Sequence, residues 1–455
     1  MLARRSWLDE QHEVLGTSWW SDVKLPSPCH CLILFAGTGA DFHAITKLIG
    51  RGNCTCVACD ADDGPTRFFI EAHQPEHYFK QDVHKLLADG KSSTRCLGAN
   101  CGENYCESMH EAEVDILTAG FPCVHFSILN KNRWKEDPMK QEKCRQSFEA
   151  ISNYLTHVPQ CPRMFVLENS AGMAKKSKMV HDSPLDFVLT GVVKAPNGRK
   201  VYLGLEHSGR YRIHVHRTSS KRCGLPHARD RIYIIGVAKR VDPDGEHFNK
   251  FVRKLDELSQ DVPVPPITEF LCNEDDVQPP RVKKAKRMTI NAHEKGDQFR
   301  QDHGLPPRKR RRGPFSEQAP AEFLDKFGAR EIECLNCCML KAMKENGGDL
   351  PTDTVVNPSV SVERSPYQTH GAVPTPSKNS RLVLPALMTE VGLRSTFQLQ
   401  GWRSEDLPSS SMSEISRHKL RALAGNMMSV PCVARVLHAL FNSVPLACGS
   451  QLCRD

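Results

Sequence analysis

The sequence CLILFAGTGA at residues 31–40 decides how we expect the chain to fold. Its apolar first half has the composition of a buried strand, its second half is a Gly-x-Gly turn, and residues 41–49 have the composition of a helix. A strand, a glycine turn and a helix in this order form a cradle for a nucleotide-like ligand, because glycine lets the backbone approach the ligand closely.

The next apolar run, residues 54–59, ends at Asp60. This carboxylate follows the turn by about twenty residues, the spacing at which an acidic side chain accepts hydrogen bonds from ribose hydroxyls. Asp60 could equally cap a helix before Pro65. A further short strand is expected within residues 76–83, which would bring Asp82 to the carboxyl edge of the same sheet.

Apolar runs continue to alternate with helical patterns further along the chain. Residues 114–120, 163–169 and 231–237 are strand candidates, and residues 146–157 have the apolar spacing of a helix. This alternation over about 210 residues predicts an α/β fold, a doubly wound and mostly parallel sheet with helices on both faces.

A single thiol follows one of these strands. The run at 114–120 leads into Phe121, Pro122 and Cys123. Pro122 fixes its own φ and favours an extended Phe121, so the backbone that carries the thiol is stiff. A stiffly held thiol suits a nucleophile, and a buried structural cysteine is the alternative.

A carboxyl group and two guanidinium groups accompany other strands. Glu168 lies at the end of the run 163–169, and Arg229 and Arg231 lie at the start of the run 231–237. A thiol, a carboxyl and a guanidinium on one sheet edge suggest covalent addition to an electron-poor ring, with the charged groups holding its polar atoms.

Composition limits the other possibilities. The 455 residues carry a formal net charge of +8 and an odd number of cysteines, 19, without an opening secretory signal, so we expect a reduced, intracellular protein. No apolar run is long enough to span a membrane. Cys96, Cys101, Cys106 and His110 lie in a polar loop, but their spacing is too loose for a zinc knuckle, and no metal is expected.

The character of the chain changes after residue 240. Basic clusters at 281–287 and 308–312 indicate nuclear import or phosphate contacts, with a solvated linker as the alternative. Residues 351–379 are rich in Ser, Thr and Pro and are expected to be partly disordered. Helices are expected at 331–343 and 389–399, and a closing helix after Pro431 has the apolar period of a core-facing helix.

In this order the segments resemble the motifs of the cytosine-5 DNA methyltransferases, enzymes that use S-adenosyl-L-methionine. The matching segments are FAGTG at 35–39, Asp60, Asp82-Val83, GFPC at 120–123 with Phe126-Ser127, Glu168-Asn169, Arg229-x-Arg231, LQG at 399–401, and Gly425-Asn426 with SVP at 429–431. The resemblance covers most of the ordered chain and identifies a divergent member, with a Rossmann-like methyltransferase core and a smaller inserted target-recognition region.

The resemblance implies the residues of a cofactor site. Phe35 would stack near the adenine, Asp60 would hold the ribose, and Asp82 with Val83 would contact the adenine. The implied cofactor-binding residues are Phe35, Ala36, Gly37, Thr38, Gly39, Asp60, Ala61, Asp82, Val83, Pro122, Asn426 and Met428.

It also implies a mechanism on duplex DNA. A cytosine is flipped out of the helix, the thiolate of Cys123 adds to carbon 6, and carbon 5 takes the methyl group. Glu168 would stabilise the protonated ring nitrogen 3, Arg231 would bind the carbonyl at position 2, and Arg229 or Arg231 would favour the thiolate.

The sequence departs from the family pattern without losing a reacting group. The replacements are Ile33 for an aspartate, Ala40 for a glycine, Val124 and His227 for glutamines, Ser170 for a valine and Trp402 for a phenylalanine. Val124 bears on how the loop closes on a flipped base.

We expect an N-terminal arm at 1–27, a catalytic domain at 28–240, a target-recognition region with a basic linker at 241–380, and C-terminal motifs at 381–447 that return to the catalytic domain. The expected protein is nuclear and monomeric. Methylation of cytosine in RNA, such as tRNA, and a non-catalytic DNA-binding role remain alternatives.

Overall fold

A computed structural model describes residues 28–89, 95–98, 101, 113–122, 142–176, 183–194, 200–272, 289–308 and 313–446. The expected nucleophile Cys123, the adjacent Val124, the N-terminal arm, the basic cluster at 281–287 and residues 309–312 of the second cluster lie outside these residues. The chain forms two compact units: the first unit comprises residues 1–222, 230–261 and 427–455, and the second comprises 223–229 and 262–426.

The strands are β1 Cys29–Leu34, β2 Cys54–Asp60, β3 His77–Lys80, β4 Ile116–Gly120, β5 Met164–Ser170, β6 Val192–Lys194, β7 Lys200–Tyr202, β8 Tyr211–Ser219, β9 Asp230–Ala238, β10 Val355–Val356, β11 Tyr367–Gln368, β12 Val383–Leu384 and β13 Thr389–Glu390. The helices are α1 Ala40–Ile49, α2 Asp63–His73, α3 Val83–Asp89, α4 Glu142–His157, α5 Pro184–Thr190, α6 Glu246–Glu257, α7 Ile290–Asp302, α8 Pro314–Gln318, α9 Ala321–Leu324, α10 Ala329–Glu345, α11 Leu393–Gln398, α12 Ser409–Glu414, α13 Arg417–Asn426 and α14 Val430–Phe441.

The first unit is built on a seven-stranded sheet of order β3-β2-β1-β4-β5-β9-β8. The strands from β3 to β5 are parallel, and β9 and β8 run antiparallel to their neighbours. The predicted α/β fold with a mostly parallel sheet is therefore confirmed. The apolar runs that predicted the strands are continuous because a parallel sheet is buried on both faces.

Helices cover both faces of this sheet. Leu32 and Leu117 share one core cluster with residues of α3 and α4. Thr118, the next residue of β4, points to the opposite face, where its hydroxyl donates a hydrogen bond of 2.5 Å to Asp41 in α1. The closing helix α14 packs against α1 and α6 with all its residues buried, as its apolar period predicted.

The register of the sheet brings several chain segments to one edge. Leu34, the last residue of β1, pairs with Cys59 and with Ala119. Gly120 at the end of β4 pairs with Glu168. Because β9 is antiparallel to β5, its beginning lies at this same edge, which we call the carboxyl edge.

The second unit contains helices and a small sheet of order β11-β10-β12-β13. The predicted helix at 389–399 is wrong in its first part, since Thr389 and Glu390 pair with β12 and the helix begins only at Leu393. The stretch 351–379, expected to be partly disordered, is described throughout and contains β10 and β11, held by the fully buried Val355 and Val356.

In the described part of the chain, no single helix has both the length and the apolar composition that crossing a membrane requires; only α13 and α14 counted together satisfy both criteria.

Candidate active site

The predicted glycine turn follows β1 and contains left-handed backbone. Phe35, Gly37 and Gly39 have φ values of 53°, 56° and 70°, in the left-handed region. The amide of Ala36 donates to the carbonyl of Cys59 at 3.0 Å, and the amide of Gly39 donates to the carbonyl of Ala36 at 2.7 Å. The turn is thus fixed to the end of β2.

Two buried rings close the turn from the side of α2. A Cβ atom on Gly39 would lie 2.5 Å from the Nε2 atom of His73 and 2.5 Å from a ring carbon of Phe69. The Nε2 atom of His73 lies 2.9 Å from the carbonyl oxygen of Thr38. Because a carbonyl oxygen only accepts, this nitrogen carries the proton. Burial lowers the pKa of His73 to about 4, so the ring is neutral near pH 7.

Asp60 hydrogen-bonds to the glycine turn and does not cap helix α2. Its Oδ2 atom accepts a hydrogen bond of 3.0 Å from the amide of Gly37, and its Oδ1 atom accepts one of 3.0 Å from the amide of Asp62. Burial raises the pKa of Asp60, and these two amides oppose the rise. Asp62 occupies the N-cap position of α2, which excludes the alternative that Asp60 caps this helix. Ala61 is exposed beside it.

Asp82 and Val83 follow β3. The Oδ1 atom of Asp82 accepts a hydrogen bond from the amide of His84 at 2.9 Å, and its side chain is 52% exposed, which leaves it accessible to a ligand. Val83 is buried in the core at the start of α3.

Glu168 and Arg231 form an ion pair at the carboxyl edge. The Nε atom of Arg231 lies 2.6 Å from the Oε1 atom of Glu168, and their side chains are 14% and 9% exposed. The pairing register opposite β5 explains the contact, since Ser170 faces Arg231 and Glu168 lies two residues before it. The Nη2 atom of this guanidinium and the Oε2 atom of this carboxylate are polar atoms that can bind a further ligand.

The segment that leads to Cys123 is held by β5. The Nδ2 atom of Asn169 donates to the carbonyl of Phe121 at 3.3 Å, and Phe121 is itself buried. Pro122 is exposed after it. Asn169 was identified in the sequence only as the partner of Glu168 in a motif, and nothing in the sequence indicates its contact with the loop.

Met428 also lies at the carboxyl edge. A Cβ atom on Gly120 would be 3.0 Å from the terminal methyl group of Met428 and 3.7 Å from the Oε2 atom of Glu168. The end of β4, the carboxylate of Glu168 and Met428, two residues before α14, therefore surround one point directly before the segment that carries the thiol.

Two further residues of the arginine motif bind backbone within the second unit. The Nη1 atom of Arg229 donates to the carbonyls of Gly425 at 2.7 Å and Pro376 at 3.2 Å. The Nε2 atom of His227 lies 2.7 Å from the carbonyl of Leu399, where a glutamine of the family pattern could also donate. Asn426, at the end of α13, is exposed.

Asp41 is a buried acid that the sequence reasoning did not single out. It accepts the hydroxyl of Thr118 at 2.5 Å and the amide of Phe42 at 2.9 Å. Burial raises the pKa of Asp41, and these hydrogen bonds oppose the rise. Two features of the sequence could have indicated its role. Asp41 directly follows the glycine turn, and the chain has Ile33 at the position where the family pattern has an aspartate.

A family model matches the part of the chain that carries Glu168 and Arg231, while the glycine turn and Asp60 lie outside that match. The family model of the C-5 cytosine-specific DNA methylases matches residues 99–301. The type II methyltransferase M.AquIA of Picosynechococcus sp. is 30% identical over 127 residues, which are 27% of this chain and 44% of that protein. The match therefore spans less than half the length of this curated relative.

Solved structures of two other proteins align with most of the chain. The methyltransferase EhMeth of Entamoeba histolytica aligns with a TM-score of 0.48 and 9% identity over 91% of this chain and 98% of its own. The Dnmt2 methyltransferase of S. pombe aligns with a TM-score of 0.45 and 12% identity over 91% of this chain and 98% of its own.

Proposed function

We propose that this chain is a divergent member of the C-5 cytosine methyltransferase family, whose enzymes use S-adenosyl-L-methionine, and that it transfers the methyl group of this cofactor to carbon 5 of cytosine in DNA. The observation that carries the proposal is the buried ion pair between Glu168 and Arg231 beside the segment that leads to Cys123. A paired acid and guanidinium at that place fit the polar edge of a cytosine ring.

The residues of the glycine turn fit a nucleoside-type cofactor. The turn has left-handed backbone at Gly37 and Gly39, and Asp60 is fixed beside it by two amides. A carboxylate so placed binds ribose hydroxyls, and the accessible Asp82 can accept hydrogen bonds from an adenine. When bound, S-adenosylmethionine supplies the electrophilic methyl group.

Glu168 and Arg231 have complementary roles towards the base. Glu168, held by Arg231, hydrogen-bonds nitrogen 3 of the ring and accepts from it when that nitrogen is protonated. Arg231 donates to the carbonyl oxygen at position 2, which gains negative charge as the ring accepts a nucleophile.

Cys123 supplies the nucleophile in this proposal. Its thiolate adds to carbon 6, and the electron pair of the 5,6 double bond then forms the new bond from carbon 5 to the methyl group. The bond between this methyl group and the sulfur of S-adenosylmethionine breaks, and S-adenosylhomocysteine is the leaving group. Loss of the proton on carbon 5 restores the double bond and expels the thiolate. Asn169 positions the loop through the carbonyl of Phe121, and Arg229 is held by the backbone carbonyls of Pro376 and Gly425.

Region 241–380 reads the target in this proposal, and the basic clusters at 281–287 and 308–312 contribute contacts with phosphates and nuclear import. The cytosine is flipped out of the duplex, at a cost of about a few kcal/mol that the contacts of the pocket offset. The protein acts as a monomer in this proposal.

The proposal is tested by transfer of a tritiated methyl group from S-adenosylmethionine to duplex DNA and, separately, to tRNA. We expect 5-methylcytosine in DNA with the wild type and with Cys272→Ser, a half-buried cysteine outside the candidate site, and none with Cys123→Ser. Transfer to tRNA alone would replace DNA by RNA as the substrate. Cofactor binding without transfer to either would point to a non-catalytic DNA-binding homologue.

A further inference from the structure

A cluster of metal-ligating side chains lies at the edge strand of the first-unit sheet, apart from the carboxyl edge. The donor atoms of His77, Cys96 and Cys101 all lie within 4.8 Å of one another. The Sγ atom of Cys96 is 3.8 Å from the Nδ1 atom of His77. All three residues are half-buried, so an ion from solution could reach them.

The backbone holds two of these residues in place by sheet pairing. His77 begins β3, and Cys96 forms an antiparallel bridge with Phe79 of the same strand. The amide of Leu97 donates to the carbonyl of Tyr78 at 2.8 Å. Any Cβ atom on Gly98 would lie 2.0 Å from the carbonyl oxygen of Glu76, so only glycine permits this close approach.

The sulfur of Cys96 has the surroundings of a metal-bound thiolate. The amide of Gly98 donates a hydrogen bond to this sulfur at 3.4 Å. Hydrogen bonds of this kind orient a ligand and stabilise the negative charge of a thiolate that binds a metal. The contact also fixes the direction in which the sulfur points relative to His77.

The separation of the donor atoms fits a tetrahedral ion. With bonds of about 2.3 Å to sulfur and 2.0–2.1 Å to nitrogen, tetrahedral zinc places a sulfur and a nitrogen ligand about 3.6 Å apart. The 3.8 Å between Cys96 and His77 is therefore within a few tenths of an ångström of the required value. Sulfur and imidazole ligands without a carboxylate favour Zn²⁺ over Mg²⁺ or Ca²⁺.

We propose that His77, Cys96 and Cys101, with a water molecule as the fourth ligand, bind a Zn²⁺ ion that fastens residues 95–98 and Cys101 to β3. The spacing of residues within the cysteine-rich loop argued against a metal site. His77 lies outside that loop and is brought to Cys96 and Cys101 by strand pairing. The clamp covers an edge strand, which otherwise exposes unpaired backbone groups. It also stabilises the strand that ends just before Asp82.

The test is metal analysis of the purified full-length protein by plasma mass spectrometry, followed by replacement of zinc with Co²⁺. We expect about one zinc ion per chain, and the intense visible absorption of tetrahedral cobalt with thiolate charge-transfer bands after replacement. In His77→Gln and in Cys96→Ser the metal content should fall below about 0.2 per chain, because loss of one of three protein ligands weakens the site. Cys272→Ser, another half-buried cysteine, should keep the full amount.

Metal-free wild type without a cobalt spectrum, full zinc content in the ligand variants, or a disulfide between Cys96 and Cys101 would each overturn the proposal. If the variants fail to fold, alkylation of the wild type decides the matter. Zinc should protect Cys96 and Cys101 from iodoacetamide and leave Cys272 unaffected, and equal labelling with and without zinc would also overturn the proposal.

Discussion

Replacing Gly39 by alanine should both destabilise the protein and weaken binding of S-adenosylmethionine. The φ of 70° at this position costs an L-residue about 1–2 kcal/mol. The new Cβ atom would lie 2.5 Å from the rings of both His73 and Phe69, which are 6% and 0% exposed and cannot move into solvent. Overpacking of this kind costs about 1–3 kcal/mol, so the free energy of unfolding should fall by about 2–5 kcal/mol.

Alanine substitutions at two other glycines separate the cost of the positive φ from the cost of the steric clash. Gly37 has a φ of 56°, but a Cβ atom there would meet nothing closer than the carbonyl oxygen of Phe35 at 3.7 Å, so Gly37→Ala should cost only about 1–2 kcal/mol. A Cβ atom on Gly52 would meet nothing within 4 Å, and Gly52→Ala should change stability by less than about 1 kcal/mol.

The assay is denaturant unfolding followed by circular dichroism, with cofactor affinity measured by titration calorimetry. The order of destabilisation should be Gly39→Ala, then Gly37→Ala, then Gly52→Ala. If Gly39→Ala were as stable as Gly52→Ala and bound the cofactor normally, the assignment of this turn as a tightly packed cofactor cradle would be refuted.

The remaining predictions concern the ion pair, the loop contact and a buried histidine. Glu168→Gln should lower kcat at least about 10²-fold, since a positioned acid–base group contributes that much. Calorimetry should show unchanged cofactor affinity, and the exposed control Glu206→Gln should retain the wild-type kcat. An unchanged kcat in Glu168→Gln would contradict the assigned role. Asn169→Ala leaves the buried carbonyl of Phe121 without its donor and should lower the free energy of unfolding by about 1–3 kcal/mol. The exposed control Asn153→Ala should change the free energy of unfolding by less than about 0.5 kcal/mol. Equal effects of the two substitutions would speak against the loop contact. Because burial lowers the pKa of His73 from 6.5 to about 4, the unfolded chain takes up this proton first as the pH falls, and stability should decrease between these two values by up to about 3 kcal/mol relative to His73→Gln. Parallel unfolding curves of wild type and His73→Gln from pH 7 to about pH 4 would show that this histidine is not buried as a neutral ring.

The parallel part of the sheet could be predicted from the sequence because its signals are local. Each buried strand is a short apolar run, and the Gly-x-Gly turn after the first run sets the direction of the next element. The closing helix could also be predicted from the sequence, since its apolar period requires a core on one side and the sheet supplies that core.

Contacts between distant residues could not be predicted in the same way. The sequence placed Glu168 and Arg231 at strand ends, but their 2.6 Å contact depends on β9 running antiparallel to β5, a direction that an apolar run does not specify. The error at Thr389 has a similar cause, because its pairing with β12 overrides a helical local pattern. His77 entered the proposed zinc site by strand pairing, which spacing along the chain does not reveal.

The most direct test of the central claim is covalent trapping on duplex DNA that contains 5-fluorocytosine, in the presence of S-adenosylmethionine, read by intact mass spectrometry. After methyl transfer, carbon 5 carries fluorine in place of a removable proton, so the bond between sulfur and carbon 6 cannot be released. We predict one stable adduct in the wild type and in Cys272→Ser and none in Cys123→Ser. An adduct that persists in Cys123→Ser, or a wild type that binds the cofactor and forms no adduct on DNA or tRNA, would contradict the account.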